Sequence, residues 1–151
     1  MHFCIIGQTE AGNDILANWL SSQYPDHLFI SISYNSLGET HPELSDSDSV
    51  IVTVNLLEGP MPGTRAAFED CRKLNKSVSG FCLTREDEFN AQTTYGPHIK
   101  ELVEIETREL ASIYGYSDDL IPSSRIPILT IDPSAINNFQ NAVLNYIETI
   151  K

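Results

Sequence analysis

The chain has 151 residues, of which 21 are acidic and 9 are lysine or arginine, so its formal net charge at pH 7 is -12. This length suits one domain that buries about two thirds of the surface its unfolded form exposes. The acidity opposes binding to nucleic acid and to anionic membranes, so we expect neither as a direct partner.

The cysteines and the apolar runs indicate a reducing compartment. Cys4, Cys71 and Cys82 form no CxxC pair, and their odd number favours free thiols over a disulfide framework. No apolar stretch approaches the length of about 18 residues that a membrane-spanning helix needs, and no basic region precedes the first strand pattern. We therefore expect a cytoplasmic protein.

Strand-like and helical patterns alternate along the chain. Runs of strand length, rich in Val, Ile, Phe or Thr, are residues 2–6, 27–33, 50–54, 77–83 and 127–131. The segments between them space apolar residues three and four apart, as in Ile15, Leu16, Trp19 and Leu20 or in Ala67, Phe68, Cys71 and Leu74. The last helix is the clearest, with Asp132 as its cap, Pro133 in its first turn and an apolar stripe over residues 136–150.

Five strands with interposed helices predict an α/β domain of three layers, α/β/α, around a mainly parallel five-stranded sheet. Ligands of such sheets usually bind at the carboxyl ends of the strands. The turn at residues 7–12 lies at that edge, and the polar segment 84–97 is expected to be a surface loop at the same edge. The sequence therefore directs attention to these two segments.

The first turn has the setting of a phosphate-binding loop, because it follows a strand and opens a helix. Gly7 and Gly12 match the pattern GxxxxGK[ST], but Asn13 stands in place of the lysine and Asp14 in place of the hydroxyl. In a working loop the lysine reaches the terminal phosphates and the hydroxyl binds magnesium. Taken alone, the two glycines are better explained by a tight strand-to-helix turn.

Two longer segments carry a specific resemblance. Residues 54–65, Val-Asn-Leu-Leu-Glu-Gly-Pro-Met-Pro-Gly-Thr-Arg, resemble the V-x-A-x-D-G-P-M-P-Q-T-R segment of elongation factor Tu. Residues 101–114, Glu-Leu-Val-Glu-Ile-Glu-Thr-Arg-Glu-Leu-Ala-Ser-Ile-Tyr, are similar to that family's E-L-V-E-M-E-V-R-E-L-L-S-x-Y helix, followed in both by Asp-Asp and a strand. The chain thus resembles, over most of its length, the GTP-binding domain of this translational GTPase family. The resemblance implies the P-loop fold with sheet order 2-1-3-4-5, which is a Tu-like sheet without its antiparallel strand.

The same resemblance, carried over position by position, implies that most nucleotide contacts are lost. The family's D-x-x-G, which senses the terminal phosphate, corresponds to residues 35–38, with Asn35 in place of the aspartate, Gly38 retained and Glu39 in place of the next histidine. The N-K-x-D that reads guanine corresponds to residues 84–87, where only Asp87 matches. The later S-A-L motif has a displaced counterpart at most, in residues 134–135.

Whole parts of the family's domain are also expected to be missing. The interval between Gly12 and Asn35 is too short for the long effector loop, whose threonine completes the magnesium site, and residues 1–151 leave no room for the two C-terminal β-barrel domains. Hydrogen bonds to charged groups contribute about 1.5 to 3 kcal/mol each. Losing the lysine, the hydroxyl and the base-reading pair therefore removes about 5 kcal/mol or more, on the order of a thousandfold in affinity. Asp14 adds charge repulsion, and Glu10 and Glu39 extend it.

These losses lead to three hypotheses about function. The first is a pseudo-GTPase, a protein interaction module linked to translation factors, with no catalytic residue, no metal and no bound cofactor. The second is a divergent protein that still binds GTP or GDP with magnesium through the amides of residues 7–12 and Asp87. The third is a binder of another small molecule in the old pocket. The histidines, His2, His27, His41 and His98, have no metal-ligand spacing.

The helix expected over residues 99–114 is the best candidate for partner binding. Its buried stripe should contain Ile99, Val103, Leu110 and Tyr114, which leaves four charged residues facing solvent, Lys100, Glu101, Glu104 and Arg108. In elongation factor Tu, helices of this region serve the exchange factor and the ribosomal stalk. The resemblance therefore implies an elongation factor exchange protein or a ribosomal stalk protein as partner, unless packing alone maintains these helices.

Overall fold

Strands and helices alternate along the chain. The computed structural model describes residues 1–92, 96 and 98–150. The elements are β1 (His2–Gln8), α1 (Asn13–Gln23), β2 (Leu28–Tyr34), a 3-10 helix (Pro42–Asp46), β3 (Ser49–Asn55), α2 (Pro62–Lys73), β4 (Val78–Thr84), α3 (Glu86–Ala91), α4 (His98–Ile113), β5 (Ser123–Ile126) and α5 (Pro133–Ile150). None of the helices in the described ranges is long and apolar enough to span a membrane.

The five strands form one sheet in the order β2-β1-β3-β4-β5, and every neighbouring pair is parallel. All seven residues of β3 are buried, as are all seven of β4. Such continuous burial is typical of strands that are covered on both faces, and it explains the apolar character of these runs. The expected order 2-1-3-4-5 and the parallel sheet are confirmed.

Helices cover both faces of the sheet, which gives the three layers that the sequence predicted. On one face, α1 and α5 pack through a cluster that includes Leu16, Phe139 and Val143. On the other face, α2, α4 and the 3-10 helix pack through a cluster that includes Phe68 and Leu110. Loops that leave the carboxyl ends of β1, β3 and β4 therefore meet at one edge.

The fifth strand corrects the sequence prediction. It occupies Ser123–Ile126, while the expected strand at 127–131 is irregular. The last residue of the strand is therefore the one before Pro127. The apolar character of the next residues has another cause, because Ile128 is buried against Gly12, with its Cδ1 3.2 Å from where a Cβ of residue 12 would lie. The sequence prediction therefore mistook an apolar loop for a strand.

Two further expectations need correction. The segment 84–97 is not simply a loop, since it contains α3 with the buried side chain of Phe89, and residues 93–95 and 97 lie outside the described ranges. Three side chains expected on apolar helical faces, Ile15, Leu74 and Ile150, are exposed. Ile15 lies in the first turn of α1, Leu74 directly follows the last residue of α2, and Ile150 is the last residue of α5.

Candidate functional site

The turn between β1 and α1 requires both of its glycines for packing alone. A Cβ on Gly7 would lie 2.5 Å from the carbonyl oxygen of Thr53, which is backbone of the neighbouring strand. Gly12 has a φ of 87° and caps α1 in the left-handed conformation, which favours glycine. The fold therefore accounts for both residues without a bound phosphate.

Asn13, at the position of the phosphate-binding lysine, is directed into the protein. Only 4% of its surface is exposed. Its Nδ2 donates to the carbonyl oxygen of Ile32, at 3.1 Å, and its Oδ1 accepts from the hydroxyl of Thr53. These partners belong to β2 and β3, the two strands that flank β1, so Asn13 ties the start of α1 to both of these strands.

The cavity beside this turn is small and acidic. It has a volume of ≈ 270 Å³ and is lined by Thr9, Glu10, Gly12, Asn13, Asp14, Ile15, Ser33 and Arg85. Asp14 is exposed and accepts a hydrogen bond from the Ser31 hydroxyl. Glu10 is also exposed, with a φ of 70°. Two acidic residues therefore line this cavity, and their charges would oppose a phosphate there.

Arg85 is the cation of this cavity, and its guanidinium is occupied by the protein itself. Nε and Nη2 donate to the carbonyl oxygen of Glu10, at 2.9 Å and 2.7 Å, while Nη1 pairs with a carboxylate oxygen of Glu88 at 2.6 Å. Arg85 thus fastens the start of α3 to the β1–α1 turn. An incoming phosphate would have to displace these bonds before it could pair with the guanidinium.

Asp87, the retained base-reading residue, is also used internally. One carboxylate oxygen accepts from the N–H of Ile128 at 3.1 Å, and the other accepts from the N–H of Thr130 at 2.9 Å. Burial acts to raise the pKa of Asp87, but the backbone N–H groups of Thr130, Ile128 and Glu88 outweigh it, so the pKa lies below its ordinary value. Asp87 therefore organises the loop after β5.

The turn after β2 is closed by its own side chains. The backbone N–H of Asn35 donates to a carboxylate oxygen of Glu39 at 2.6 Å, and the Asn35 side chain accepts from the hydroxyl of Thr9. Gly38 has a φ of 83°, and nothing lies within 4 Å of the place where its Cβ would be. Asn35 is thus brought to the β1–α1 turn, whereas Gly38 lies apart from it in solvent.

The expected counterpart of the S-A-L motif belongs to the last helix. Ser134 and Ala135 lie in the first turn of α5, where the N–H of Ala135 donates to the side chain of Asp132 at 3.2 Å. This bond confirms Asp132 as the helix cap. The residues that follow β5 and reach the β1–α1 turn are those around Ile128 instead.

The residues present differ from those that hold a magnesium nucleotide in a working phosphate-binding loop. Within residues 1–92, 96 and 98–150, no three His, Cys, Asp or Glu side chains are grouped to hold a metal ion. Only residues 24–27 separate α1 from β2, so no effector loop intervenes between them. The lysine position points inward, and the hydroxyl position carries a carboxylate. The site's polar groups satisfy one another rather than converge on an open position.

On α4, two of the four expected solvent-facing charges are engaged within the protein. The Lys100 side chain is 16% exposed, and its Nζ lies 2.7 Å from the side-chain oxygen of Asn90 and 5.6 Å from the centre of the Phe89 ring. Arg108 donates to the carbonyl oxygen of Ile121 at 2.7 Å and lies over a second aromatic ring. Both side chains place their charged groups over aromatic rings and are only partly exposed, so the expectation of free, solvent-facing charges was wrong for them.

The expectations for the other residues of this helix agree better with the structure. Glu101 is exposed and Glu104 is half-buried. Val103 and Leu110 are buried as expected, but Thr107 and Ala111 complete the buried stripe, while Ile99 and Tyr114 are only half-buried. The Thr107 hydroxyl is satisfied by donating to the carbonyl oxygen of Val103 at 2.8 Å, so a polar residue can occupy the buried stripe.

Sequence reasoning missed an apolar surface on the outer face of α4. Leu102, Ile105 and Ile113 are 47%, 51% and 72% exposed. We call these three residues the α4 apolar patch. A shallow cavity of about 280 Å³ borders it, lined by Pro60, Arg65, Glu106, Glu109, Leu110 and Ile113. The helical spacing of residues 102, 105 and 113, opposite the buried stripe, is the signal that could have identified the patch.

Comparisons with known proteins find the fold but no family. No protein family model matches the chain. Among solved structures, it is similar to the translation elongation factor SelB from Methanococcus maripaludis in its apo form, with a TM-score of 0.73 and 13% sequence identity. The match covers 98% of this chain and 33% of that one, so the chain spans about a third of the length of that protein. The chain therefore has the α/β fold of a P-loop GTPase-like domain such as that of a translation elongation factor.

Proposed function

We propose that this chain is a pseudo-GTPase, a domain with the fold of an elongation factor GTPase that binds another protein and not GTP. One observation carries the proposal: the side chains at the two most discriminating nucleotide positions are held by internal hydrogen bonds. Asn13 is bonded to Ile32 and Thr53, and Asp87 is bonded to Ile128 and Thr130. Neither is free to take a ligand without breaking bonds that stabilise the fold.

The cost of reusing these residues supports the proposal. Leaving a buried polar group unsatisfied costs about 1 to 3 kcal/mol. Rotating Asn13 toward a phosphate would leave the carbonyl oxygen of Ile32 without this donor. The exposed carboxylates of Glu10 and Asp14 line the same cavity and oppose an anionic ligand. No side chain in this arrangement is placed to activate a water, so we also propose that the chain hydrolyses no GTP.

Titration calorimetry with GTP, GDP and ATP, each with and without magnesium, tests the proposal directly. We expect no binding of any of them at concentrations up to about 1 mM, which corresponds to a free energy weaker than about 4 kcal/mol. The Asp87→Asn variant is the matched control. Binding of GTP or GDP at micromolar concentrations that is lost in Asp87→Asn would contradict the proposal.

That contradictory result would support a second candidate, a divergent guanine-nucleotide-binding protein with residual affinity for GTP or GDP and magnesium. The observation that favours it is the turn itself, which keeps a left-handed Gly12 before α1 and a cavity of ≈ 270 Å³ beside it. The helix N-terminus offers backbone N–H groups that suit an anion. A third candidate, a different small molecule in the same cavity, would give a thermal shift in a metabolite screen but no response to nucleotides.

We propose α4 as the protein-binding surface, because the α4 apolar patch lies beside the acidic residues Glu101, Glu106 and Glu109. Exposed apolar residues with a polar rim are typical of interaction sites. The resemblance to elongation factor Tu makes an exchange protein or a ribosomal stalk protein the partners to test first. Purified exchange and stalk proteins should be retained by the immobilised chain.

Two kinds of variant locate this interaction. Glu101→Lys with Glu104→Lys reverses charge, and Leu102→Gln with Ile105→Gln removes apolar surface, and each pair should weaken retention about tenfold or more. Ser21→Gln, at an exposed position of α1, serves as the control and should have no effect. If neither candidate protein is retained by the native chain, the partner assignment is wrong. If retention survives both double variants, the surface assignment is wrong.

A further inference from the structure

The outer side of β2 is an unprotected sheet edge. β2 pairs with β1 on one side only, and no other strand of the described ranges lies beside it. It is seven residues long, and its sequence Leu-Phe-Ile-Ser-Ile-Ser-Tyr has neither a charge nor a proline. Natural edge strands are usually blunted by charges, prolines or short length, because free backbone groups can pair with another chain. β2 has none of these protections.

The opposite edge of the same sheet is protected. β5 has only four residues and includes Arg125. The N–H of Phe81 donates to the carbonyl oxygen of Pro122 at 2.9 Å, so residues in phase with Pro122 face β4. Arg125 and Pro127 are in the other phase and face outward, where the proline has no N–H to offer. The contrast marks the β2 edge as the available one.

The backbone groups that β2 presents can be identified from its phase. The N–H of Leu28 donates to the carbonyl oxygen of Met1 at 2.9 Å, and the carbonyl oxygen of Tyr34 accepts from the N–H of Thr9 at 3.2 Å, so residues 28 and 34 face β1. Alternate residues of a parallel strand direct their N–H and C=O groups to opposite neighbours. Phe29, Ser31 and Ser33 therefore direct theirs outward.

Side chains beside this edge differ between the two faces of the sheet. On the face covered by α1 lie the half-buried Ser31 and Ser33, with the carboxylate of Asp14 bonded to the hydroxyl of Ser31. On the other face lie Leu28, which is 52% exposed, and the half-buried Ile30. An added strand would therefore meet a polar, acidic row on one face and an apolar row on the other.

The charge of residues 1–64 indicates what kind of chain could pair with the outer edge of β2. No lysine or arginine precedes Arg65 in the sequence, whereas the acidic residues before it are Glu10, Asp14, Asp26, Glu39, Glu43, Asp46, Asp48 and Glu58. A second copy of the chain paired through β2 would bring the same negative charges together, and like charges across an interface oppose association. A basic segment of a different protein meets complementary charge.

We propose that the outer edge of β2 takes up an extended basic segment of a partner protein as a sixth strand of the sheet. Backbone hydrogen bonds to Phe29, Ser31 and Ser33 hold the segment, in the manner of strand addition at other exposed sheet edges. Its lysine or arginine side chains lie over Asp14 and Ser31, and its alternate apolar side chains lie over Leu28 and Ile30. This surface is separate from α4 and does not depend on the pseudo-GTPase proposal.

A fluorescent, acetylated nonapeptide of alternating lysine and valine is a suitable probe for anisotropy titration. Ser31→Pro removes one outward N–H without removing a bond to β1, and it should weaken binding at least about tenfold. Asp14→Asn removes one charge and should weaken binding about two- to fivefold, with less salt dependence. Asp119→Asn removes an exposed carboxylate elsewhere and serves as the matched control with no expected effect.

Two measurements on the native chain keep the test independent of how the proline variant folds. The amides of Phe29, Ser31 and Ser33 should gain hydrogen-exchange protection when the peptide binds, and a peptide N-methylated at alternate residues should not bind. Four results would overturn the proposal: no binding by the native chain, equal binding by the methylated peptide, no added protection, or full binding by a folded Ser31→Pro variant. A native dimer in sedimentation that Ser31→Pro abolishes would also overturn it, because the occupant would then be a second copy.

Discussion

The pocket beside the β1–α1 turn and the outer face of α4 have opposite relations to solvent. In the pocket, polar side chains that could meet a ligand are turned into the protein, as with Asn13, or are bonded to backbone, as with Asp87. On α4, the apolar side chains of Leu102, Ile105 and Ile113 point outward instead. The difference teaches that polar side chains of the pocket help to hold the fold together, whereas the outer face of α4 leaves apolar side chains uncovered.

The largest expected effect tests whether the pocket is scaffold. In Gly7→Ala the new methyl group would meet the Thr53 carbonyl oxygen at 2.5 Å, and the strand cannot move away from its neighbour. We expect a loss of about 3 kcal/mol in the free energy of unfolding, measured in urea. Gly38→Ala is the control, where only the left-handed backbone costs about 1 kcal/mol. A tolerated Gly7→Ala would mean that the turn is not fixed by its contact with β3.

The next effect concerns Asn13, where the scaffold role and the ligand role can be separated. Asn13→Ala removes the bonds to Ile32 and Thr53 and should cost about 2 kcal/mol in unfolding free energy. Asn13→Lys with Asp14→Thr restores the family's loop residues but should also destabilise the fold and improve nucleotide binding only modestly. Micromolar or tighter GTP binding by this double variant, measured by calorimetry, would contradict the proposed loss of the nucleotide site, because the rest of the pocket would then still accept GTP.

A smaller effect, with a defined pH dependence, is expected at Asp87. Its pKa is lowered in the folded protein, so its contribution to stability is present above the unfolded-state value of about 3.9 and is lost as pH falls through the lower folded-state value. At pH 7, Asp87→Asn should cost about 1 kcal/mol. Urea unfolding of both proteins from pH 7 to pH 2.5 should show the two curves converging on the acidic side. Parallel curves would mean that the carboxylate does not hold the loop.

The smallest stability effect is expected on α4, and it tests whether the α4 apolar patch lies outside the core. Leu102→Gln with Ile105→Gln should change the unfolding free energy by no more than about 0.5 kcal/mol per site, because both side chains are exposed. Val103→Gln, in the buried stripe of the same helix, is the matched control and should destabilise strongly. If the outer pair destabilises as much as Val103→Gln, then the α4 apolar patch is part of the core.

The sequence predicted the elements whose cause is local. The buried runs in β1, β3 and β4 gave strands within about two residues of their observed ends, because parallel strands covered on both faces are continuously apolar. The last helix was identified from its cap and first-turn proline. The fifth strand was misplaced because Ile128 is apolar for a tertiary reason, its contact with Gly12. A contact between residues so far apart in the chain leaves no periodic pattern in the sequence.

Motif spacing located the pocket residues but not the direction of their side chains. Asn13 and Asp87 were found by position, yet their partners Thr53 and Ile128 lie about forty residues away in the sequence. The same limit applied on α4, where the Nζ of Lys100 contacts the side chains of Asn90 and Phe89 in α3. Orientation depends on neighbours that only the folded chain brings together.

The reactivity of the three free cysteines can report local opening of the fold. Cys4, Cys71 and Cys82 are fully buried in β1, α2 and β4, and burial raises the pKa of the Cys4 thiol to about 11 and also raises the pKa of the other two. Alkylating reagents attack the thiolate, so the folded chain should be inert to them. Mass spectrometry of modified peptides would then time the opening of each element separately, and a cysteine added on the β2 edge would be the first thiol to react.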